Sequence, residues 1–269
     1  MLQNIQDTVD FIQKRIHEIP EFAIVLGSGL GKLQDEIQVE VEIPYSEIPN
    51  FPQTTVAGHN GKLLYGTIEG KKVLMMAGRF HYYEGYSMKE VTYPFRVFHL
   101  LGIKKLIVSN ASGGVNSNFK VGDIMIIKDH INFFPEHPLR GKNDEKFGPR
   151  FPDMSQVYDK EYIDTIFTIA KEKNINLQKG VYLGIQGPTF ETPSEYEMIK
   201  ILGADAVGMS TVPEVIVARH QGMRCLAISI ITDVGGKDLS IPVSHEEVLA
   251  AANNAMKDVI VLVKEFLKK

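Results

Sequence analysis

Apolar residues recur along the chain at two different spacings, and each spacing predicts a type of element. The first helix is predicted by four apolar residues at helical spacing, which end before Pro20: Ile5, Val9, Ile12 and Ile16. Short apolar runs bounded by glycine or polar residues predict buried strands: FAIVL, KKLIVSN, GDIMIIKD, GVYLGIQG and MRCLAISII. Two alternating runs, KLLYGTI and KKVLMMA, are joined by Glu-Gly and predict a hairpin.

Helices are predicted between these strands, most clearly over residues 160–173 and, with Pro94 near its start, across VTYPFRVFHLLG. Three more helices are predicted by the sequence of a capping box, in which a serine or threonine precedes a glutamate by three residues: at Thr192, Thr211 and Ser244. Strands that alternate with helices predict an α/β protein with a mixed, mostly parallel twisted β-sheet flanked by helices on both faces. Neither a linker nor an internal repeat divides the chain, so we predict a single domain over residues 1–269.

Composition and charge exclude several classes of protein. The net charge is −4 and no basic stripe runs along the chain, which disfavours a nucleic-acid partner. No apolar run approaches the roughly 20 residues that a membrane-spanning helix needs, and the N-terminus lacks a signal-peptide pattern. We therefore expect a cytoplasmic protein with no membrane partner. The one cysteine, Cys225, lies in an apolar run and is expected to be a buried side chain rather than a catalytic thiol.

One predicted strand runs directly into a glycine-rich turn in FAIVLGSGLGKL, residues 22–33. Such a turn presents backbone amides to an anion, but Lys32 stands where the dinucleotide-binding fingerprint needs its third glycine. A triphosphate-binding loop is also excluded, since no Gly-Lys-Ser/Thr follows. A smaller anion and a purely structural strand-to-helix turn are both compatible with this stretch, in which Ser28 supplies a hydroxyl donor.

Further polar clusters follow other predicted strands, at the edge where α/β sheets build their sites. GRFHYYEGY combines Arg79 with His81, and a guanidinium beside an imidazole suits an oxyanion such as phosphate. Solvated loop charges would explain the same residues. Other strand ends with polar groups are compatible with ordinary turns or helix starts: SNASGG, GPTFETPSE, VGMSTVPE and ITDVGGKD. The sequence contains no cysteine–histidine cluster or carboxylate cage, so no metal site is expected.

Taken together, these segments resemble the trimeric purine nucleoside phosphorylases. The resemblance follows the family's order through nearly the whole chain: GSGLG, GHNG, GRFHYYEGY, NASGG, GPTFETPSE, VGMSTVPEVIVARH and SHEEVL. Each motif is short, but their joint order is specific. The resemblance implies the nucleoside phosphorylase fold and the reversible phosphorolysis of purine (deoxy)ribonucleosides to a purine base and (deoxy)ribose 1-phosphate. It implies no cofactor, with inorganic phosphate as a co-substrate.

The resemblance also implies roles for individual residues. The implied phosphate site consists of Ser28, His59, Arg79, His81, the backbone amide of Ala111, and Ser210. The implied nucleoside site consists of Tyr83, Phe151, Phe190, Glu191, Val207, Met209, Asp233 and His245. Three of these residues are expected to take part in catalysis: His81, Glu191 and Asp233. Phe151, in the long loop over residues 131–158, is expected to complete the site of a neighbouring subunit in a homotrimer.

One position departs from the family's usual pattern. The 6-oxopurine enzymes usually carry asparagine where this chain has Asp233, and an ionised aspartate can only accept hydrogen bonds. A 6-amino group donates hydrogen bonds, so Asp233 favours acceptance of adenosine beside inosine and guanosine. Methylthioadenosine phosphorylases carry aspartate there but lack the Phe-Glu pair that this chain keeps as Phe190 and Glu191. Ser112, where alanine is common, is a smaller departure.

Two alternative functions are left open by these motifs. A methylthioadenosine phosphorylase would share Asp233, although His245 suits a 5′-hydroxyl better than a methylthio group. A nucleoside- or phosphate-binding protein without catalytic activity would share the glycine turn, but it would not need Arg79, His81 and Glu191 together. Release of base from several nucleosides, with and without phosphate, separates these alternatives.

Overall fold

The chain begins in a helix and continues mainly as strands and helices. The computed structural model describes residues 2–28, 30–55, 61–235 and 244–269. Its helices are α1 (Leu2–Gln13), α2 (Met88–Val91), α3 (Tyr93–Leu100), α4 (Lys160–Lys173), α5 (Pro193–Ile201), α6 (Val212–His220) and α7 (His245–Leu267). Its strands are β1 (Phe22–Val25), β2 (Gln38–Pro44), β3 (Lys62–Ile68), β4 (Lys71–Ala77), β5 (Lys105–Gly114), β6 (Ile124–Asn132), β7 (Leu177–Gly184), β8 (Ala206–Gly208) and β9 (Arg224–Val234).

Within the described residues the strands form one nine-stranded sheet in the order β2-β3-β4-β1-β5-β8-β7-β6-β9. Because β5 also pairs with β9, the last five strands of that order close into a ring. Pairing is parallel between β1 and β4, β1 and β5, β5 and β9, β6 and β7, and β7 and β8. It is antiparallel between β2 and β3, β3 and β4, β5 and β8, and β6 and β9. The predicted mixed sheet of an α/β protein is confirmed.

The predicted elements agree with the structure to different degrees. The predicted hairpin is present as β3 and β4, which pair antiparallel along their whole length. The helix predicted over residues 160–173 has the same bounds as α4. The N-terminal helix is shorter than predicted, since α1 ends at Gln13 and leaves Ile16 outside it. The helix predicted across VTYPFRVFHLLG is divided, because Thr92 leaves helical geometry between α2 and α3.

Two of the three predicted capping boxes are present. Thr192 caps α5 and Ser244 caps α7, each reciprocally with the glutamate three residues later. The prediction is wrong at Thr211, before α6, where φ is +72° and the side chain makes no capping hydrogen bond. The hydroxyl of Thr211 instead accepts hydrogen bonds from Arg79 and Asn110.

The parallel strands β1, β4, β5 and β9 run in the same direction, so their carboxyl ends meet at one edge of the sheet. Gly27 follows β1, Arg79 follows β4, and Asp233 lies near the end of β9. The short strand β8 pairs antiparallel with the last residues of β5, which brings Ser210 to the same edge. The apolar core lies between the strands and the packed faces of α1, α3, α4, α6 and α7. This edge is where the polar strand ends of the sequence come together.

Candidate active site

A cavity of about 380 Å³ opens at this edge of the sheet. Its lining comes from the turns after β1 and β4, from β5 and β9, and from the segments that follow β7 and β8. Two groups of polar side chains line it: a basic cluster with Arg79, His81 and Ser210, and an acidic cluster with Glu191 and Asp233. The cavity therefore combines groups suited to an anion with groups suited to hydrogen-bond donors.

Gly27 allows the end of β1 to lie directly against β5. A Cβ atom at this position would come within 2.5 Å of the Ser109 carbonyl oxygen and 2.8 Å of Asn110 Cα, so a larger residue would push the strands apart. The Gly27 amide also donates a 3.4 Å hydrogen bond to the Ser109 hydroxyl. Strand packing thus explains why the first residue of the motif is glycine. The next residue, Ser28, lines the cavity.

Arg79 is a buried cation with a buried counter-charge. Its side chain is 1% exposed, and Nη1 lies 3.3 Å from a carboxylate oxygen of Glu214, which is 2% exposed. Nη1 also donates to the Thr211 hydroxyl at 3.1 Å, and Nη2 donates to the Ser109 carbonyl. Buried charges are tolerated when they are paired and hydrogen-bonded. These contacts therefore hold both the charge and the direction of the guanidinium beside the cavity.

His81 is held as a neutral ring by the turn that follows β4. Burial lowers its pKa, and the 2.8 Å contact between Nδ1 and Glu84 only partly opposes this. Burial raises the pKa of Glu84, but hydrogen bonds from His81 and Thr55 outweigh that effect and lower the pKa to about 2. Since an ionised carboxylate only accepts, Nδ1 of the neutral ring donates and Nε2 is the acceptor nitrogen. Tyr83 stacks on this ring with centroids 4.7 Å apart.

The acidic cluster is organised around one phenol. Tyr196, buried on α5, donates a 3.0 Å hydrogen bond to Asp233 Oδ2. Gly113 leaves room for this pair, because a Cβ there would come within 2.6 Å of the phenol oxygen. Burial raises the pKa of Asp233, although hydrogen bonds from Tyr196 and Thr232 oppose the rise. Burial, with a contribution from the charge of Asp233, raises the pKa of Glu191 to about 7.

Most of the predicted site residues line this one cavity: Ser28, Arg79, His81, Tyr83, Ala111, Phe190, Glu191, Val207, Met209, Ser210 and Asp233. Three further site residues were predicted. His59 lies outside the described residues, and so does the side chain of His245, whose backbone begins α7. Phe151 is 88% exposed and does not line the cavity of its own chain.

Sequence reasoning missed two residues that support the basic cluster, Thr211 and Glu214. The Thr-Val-Pro-Glu sequence predicts a helix cap, yet both side chains contact Arg79. The sequence contains one sign of the Glu214 contact: in α6, VPEVIVARH, this glutamate stands among apolar residues. A buried acidic side chain needs a cationic partner. Tyr196 was also missed, because its place in a capped helix gives no sign of its contact with Asp233.

The described ranges contain neither a metal-binding cluster nor a membrane-spanning helix. There, no group of three or more histidine, cysteine, aspartate or glutamate side chains could hold a metal ion. Nor does any helix in those ranges have the length and apolar character to cross a membrane. Cys225 is buried as predicted, and burial raises the pKa of its thiol to about 12, which keeps it protonated at neutral pH.

This arrangement matches a known class of proteins. The model of the phosphorylase superfamily matches residues 21–268, so the chain belongs to that superfamily. Purine nucleoside phosphorylase 1 of Bacillus subtilis (strain 168) is 51% identical over 264 residues, which cover 98% of this chain and 97% of that protein. Purine nucleoside phosphorylase of Rattus norvegicus is 49% identical over 260 residues, which cover 94% of this chain and 90% of that protein.

Solved structures give the same result. A purine nucleoside phosphorylase of Schistosoma mansoni in complex with adenosine has a TM-score of 0.94 at 42% identity, covering 99% of this chain and 97% of that chain. Isoform 2 from the same organism, in complex with cytosine and ribose-1-phosphate, has a TM-score of 0.95 at 43% identity, covering 99% and 96%. Within the superfamily, the chain is therefore a member of the purine nucleoside phosphorylases, which are pentosyltransferase enzymes.

Proposed function

We propose that this enzyme cleaves purine nucleosides with inorganic phosphate in the cavity lined by the basic and acidic clusters. The reaction exchanges the sugar–nitrogen bond for a sugar–oxygen bond, gives a purine and (deoxy)ribose 1-phosphate, and is reversible. One observation carries the proposal: a single cavity holds a cation with hydroxyl groups, suited to phosphate, and carboxyl groups, suited to the base. Because the reaction transfers no electrons, phosphate is the only co-substrate that the proposal requires.

In this proposal the basic cluster binds phosphate. Arg79 supplies positive charge, while Ser28, Ser210 and the Ala111 amide are the proposed neutral donors. His81, with Nε2 as its acceptor nitrogen, takes a hydrogen bond from a protonated phosphate oxygen or a sugar hydroxyl. Positive charge develops on the sugar as the glycosidic bond breaks, and the fixed phosphate stabilises that charge and then attacks the same carbon.

The acidic cluster is proposed to bind the purine. The leaving base gains electrons, and preorganised hydrogen bonds between the purine and Glu191 and Asp233 stabilise it by roughly a few kcal/mol each. Because ionised Asp233 accepts hydrogen bonds, a 6-amino group is a suitable partner, and relatives from Schistosoma are described in complex with adenosine and with hypoxanthine. The other residues proposed to contact base or sugar are Tyr83, Phe190, Val207, Met209 and His245.

The protonation of Glu191 should make base preference depend on pH. Ionised Glu191 accepts the N1 hydrogen of inosine, whereas protonated Glu191 donates to the bare N1 of adenosine. Since the pKa of Glu191 is raised to about 7, the ionised form becomes more populated as pH rises through neutrality. We expect the inosine-to-adenosine ratio of kcat/KM to rise by roughly tenfold or more between about pH 6 and pH 8. Measuring both substrates in one phosphate buffer cancels the titration of phosphate.

Glu191→Gln is the control for this pH dependence, because an amide has the same donors and acceptors at every pH in the range. The ratio is expected to stay constant in this variant. A ratio that rises equally in Glu191→Gln would assign the pH dependence to another group. Asp233 would then be the first candidate, since burial raises its pKa as well.

The test of the proposed function is phosphate-dependent release of base. The protein is incubated with inosine, guanosine, adenosine or methylthioadenosine, with and without phosphate, and the released base is measured. We expect release from inosine and guanosine, and from adenosine through Asp233, only when phosphate is present. Release without phosphate would identify a hydrolase, release from methylthioadenosine alone would identify a methylthioadenosine phosphorylase, and no release would contradict the proposal.

We also propose that the enzyme is a homotrimer in which Phe151 of one subunit closes the nucleoside site of the next. Phe151 is 88% exposed in the single chain, and an interface would remove this large apolar ring from water. A native mass equal to three chains is the expected result. A fully active monomer would contradict the proposed role of Phe151.

A further inference from the structure

A line of buried polar side chains runs behind the basic cluster, from β5 and β9 to the start of α6. The Ser112 and Ser229 hydroxyls are 2.6 Å apart, and Ser229 donates to Asn110 Oδ1 at 2.6 Å. Asn110 Nδ2 donates to the Thr211 hydroxyl at 2.8 Å, and that hydroxyl lies 3.2 Å from the Ser210 hydroxyl. The first four residues are buried, and three residues of the line also line the cavity: Ser112, Asn110 and Ser210. The line therefore ends at the basic cluster.

The donors and acceptors give this line a direction. A hydroxyl has one hydrogen and two lone pairs. Ser229 donates its hydrogen to Asn110, so it accepts a hydrogen bond from the serine with which the line begins. Thr211 accepts from Asn110 and from Arg79 Nη1, which occupies both lone pairs, so its own hydrogen is donated to Ser210. Every hydrogen bond in the line therefore points toward Ser210.

The direction of the line determines where the hydroxyl hydrogen of Ser210 points. Because Ser210 accepts from Thr211, its own hydrogen points away from Thr211, and a phosphate oxygen in the cavity is a matching acceptor. The buried Tyr182 hydroxyl also lies near Ser210: burial raises the pKa of this phenol, the nearby Ser210 opposes the rise, and the phenol makes no hydrogen bond of its own among the described residues. Tyr182 is thus the competing partner of the Ser210 hydroxyl. Hydrogen bonds in series within a buried site strengthen one another.

Thr211 stands where this line meets Arg79. Its hydroxyl accepts from Nη1, the same nitrogen that contacts Glu214. Its backbone has φ +72° and ψ −50°, a positive-φ conformation that is strained for a β-branched residue. Glycine would adopt this backbone conformation with less strain. The backbone therefore does not account for a threonine at this position, and its side chain does.

We propose that Thr211 is a positioning residue of the phosphate site. Its hydroxyl aligns the Arg79 guanidinium and directs the Ser210 hydrogen toward phosphate. The proposal rests on the proposed function, because it takes phosphate as the anion of the basic cluster. Thr211 does not line the main cavity itself, so it acts through two residues that do. The donors are thereby oriented before the anion arrives.

The test compares Thr211→Val with Thr211→Ser. Valine keeps the branched shape and the backbone strain but removes the hydroxyl, whereas serine keeps the hydroxyl and loses one methyl group. We expect Thr211→Val to raise KM for phosphate by about tenfold with KM for inosine unchanged, and Thr211→Ser to stay within about twofold of the unaltered enzyme. Equal KM values for phosphate in the two variants would overturn the proposal.

Tyr182→Phe is the control for the competing partner of Ser210. We expect Tyr182→Phe to leave KM for phosphate unchanged while Thr211→Val raises it. If Tyr182 orients Ser210 instead, Tyr182→Phe raises KM for phosphate and Thr211→Val does not. Should Thr211→Val fail to fold, Ser229→Ala removes the donor to Asn110 and is expected to raise KM for phosphate by about threefold. An unchanged KM in Ser229→Ala would then overturn the proposal. Failure of the proposed function is distinguishable, because the unaltered enzyme would then release no base in phosphate.

Discussion

Arg79→Met is expected to weaken phosphate binding strongly and to destabilise the protein. Methionine retains a long side chain but no charge or donor, so KM for phosphate should rise by roughly 100-fold or more. The same change leaves Glu214, 2% exposed, as a buried carboxylate without its cation. Breaking one partner of a buried ion pair typically lowers the free energy of unfolding by about 3–5 kcal/mol. Kinetics at varied phosphate concentration measure the first effect, and chemical denaturation measures the second.

The double variant Arg79→Met with Glu214→Gln separates these two effects. It removes both buried charges, so most of the lost unfolding free energy is expected to return while KM for phosphate stays high. If activity returned together with stability, Arg79 would be a structural ion-pair partner and not a phosphate ligand. If Arg79→Met alone were as stable as the unaltered enzyme, the buried pair would not contribute as described.

Asp233→Asn is expected to shift base preference toward 6-oxopurines. Tyr196 donates to Oδ2 of Asp233, so asparagine can keep the Tyr196 bond with its oxygen and place its nitrogen at the Oδ1 position. The Thr232 hydroxyl, which donates to Oδ1 in the unaltered enzyme, can then donate to the Ser112 carbonyl instead. That nitrogen donates to an oxygen at C6 and cannot accept from an amino group. One mismatched buried polar contact costs about 1–3 kcal/mol, so the inosine-to-adenosine ratio of kcat/KM should rise roughly 5- to 150-fold.

Asp205→Asn is the matched control for this substitution. Asp205 is also a partly buried carboxylate, which accepts hydrogen bonds from Asn116 and the Val181 amide. It does not line the cavity, so Asp205→Asn should leave base preference unchanged even if stability falls. An unchanged ratio in Asp233→Asn would show that Asp233 does not set the preference.

Much of the fold is predictable from the sequence, because the spacing of apolar residues indicates which side of a strand or helix packs against the core. The bounds of α4 and the hairpin of β3 and β4 follow from such local patterns. Arg79 and Asp233 were also accessible as candidate site residues, since both lie at the ends of strands that run in parallel. Their presence in one cavity is the physical consequence of that parallel order.

Thr211 shows where local patterns stop being informative. Thr-Val-Pro-Glu has the spacing of a helix cap, but its hydroxyl and carboxylate contact Arg79, which is 132 and 135 residues away along the chain. That contact exists only because the end of β4 meets the start of α6 in space. The closing of the strand ring through β5 and β9 is equally non-local. Neither feature leaves a periodic signal in the residues that form it.

Strand β5 belongs to the open part of the sheet through β1 and to the closed ring through β8 and β9. Along it, Asn110 contacts the partners of the basic cluster, and Gly113 lies against the acidic cluster. A change in the register of β5 would displace both clusters at once and reverse the facing of its side chains. The separation between the basic and acidic clusters is therefore fixed by the backbone of this strand. On the proposed function, exchanging a single side chain around the strand, as in Asp233→Asn, changes the choice of base without changing the spacing between phosphate and purine.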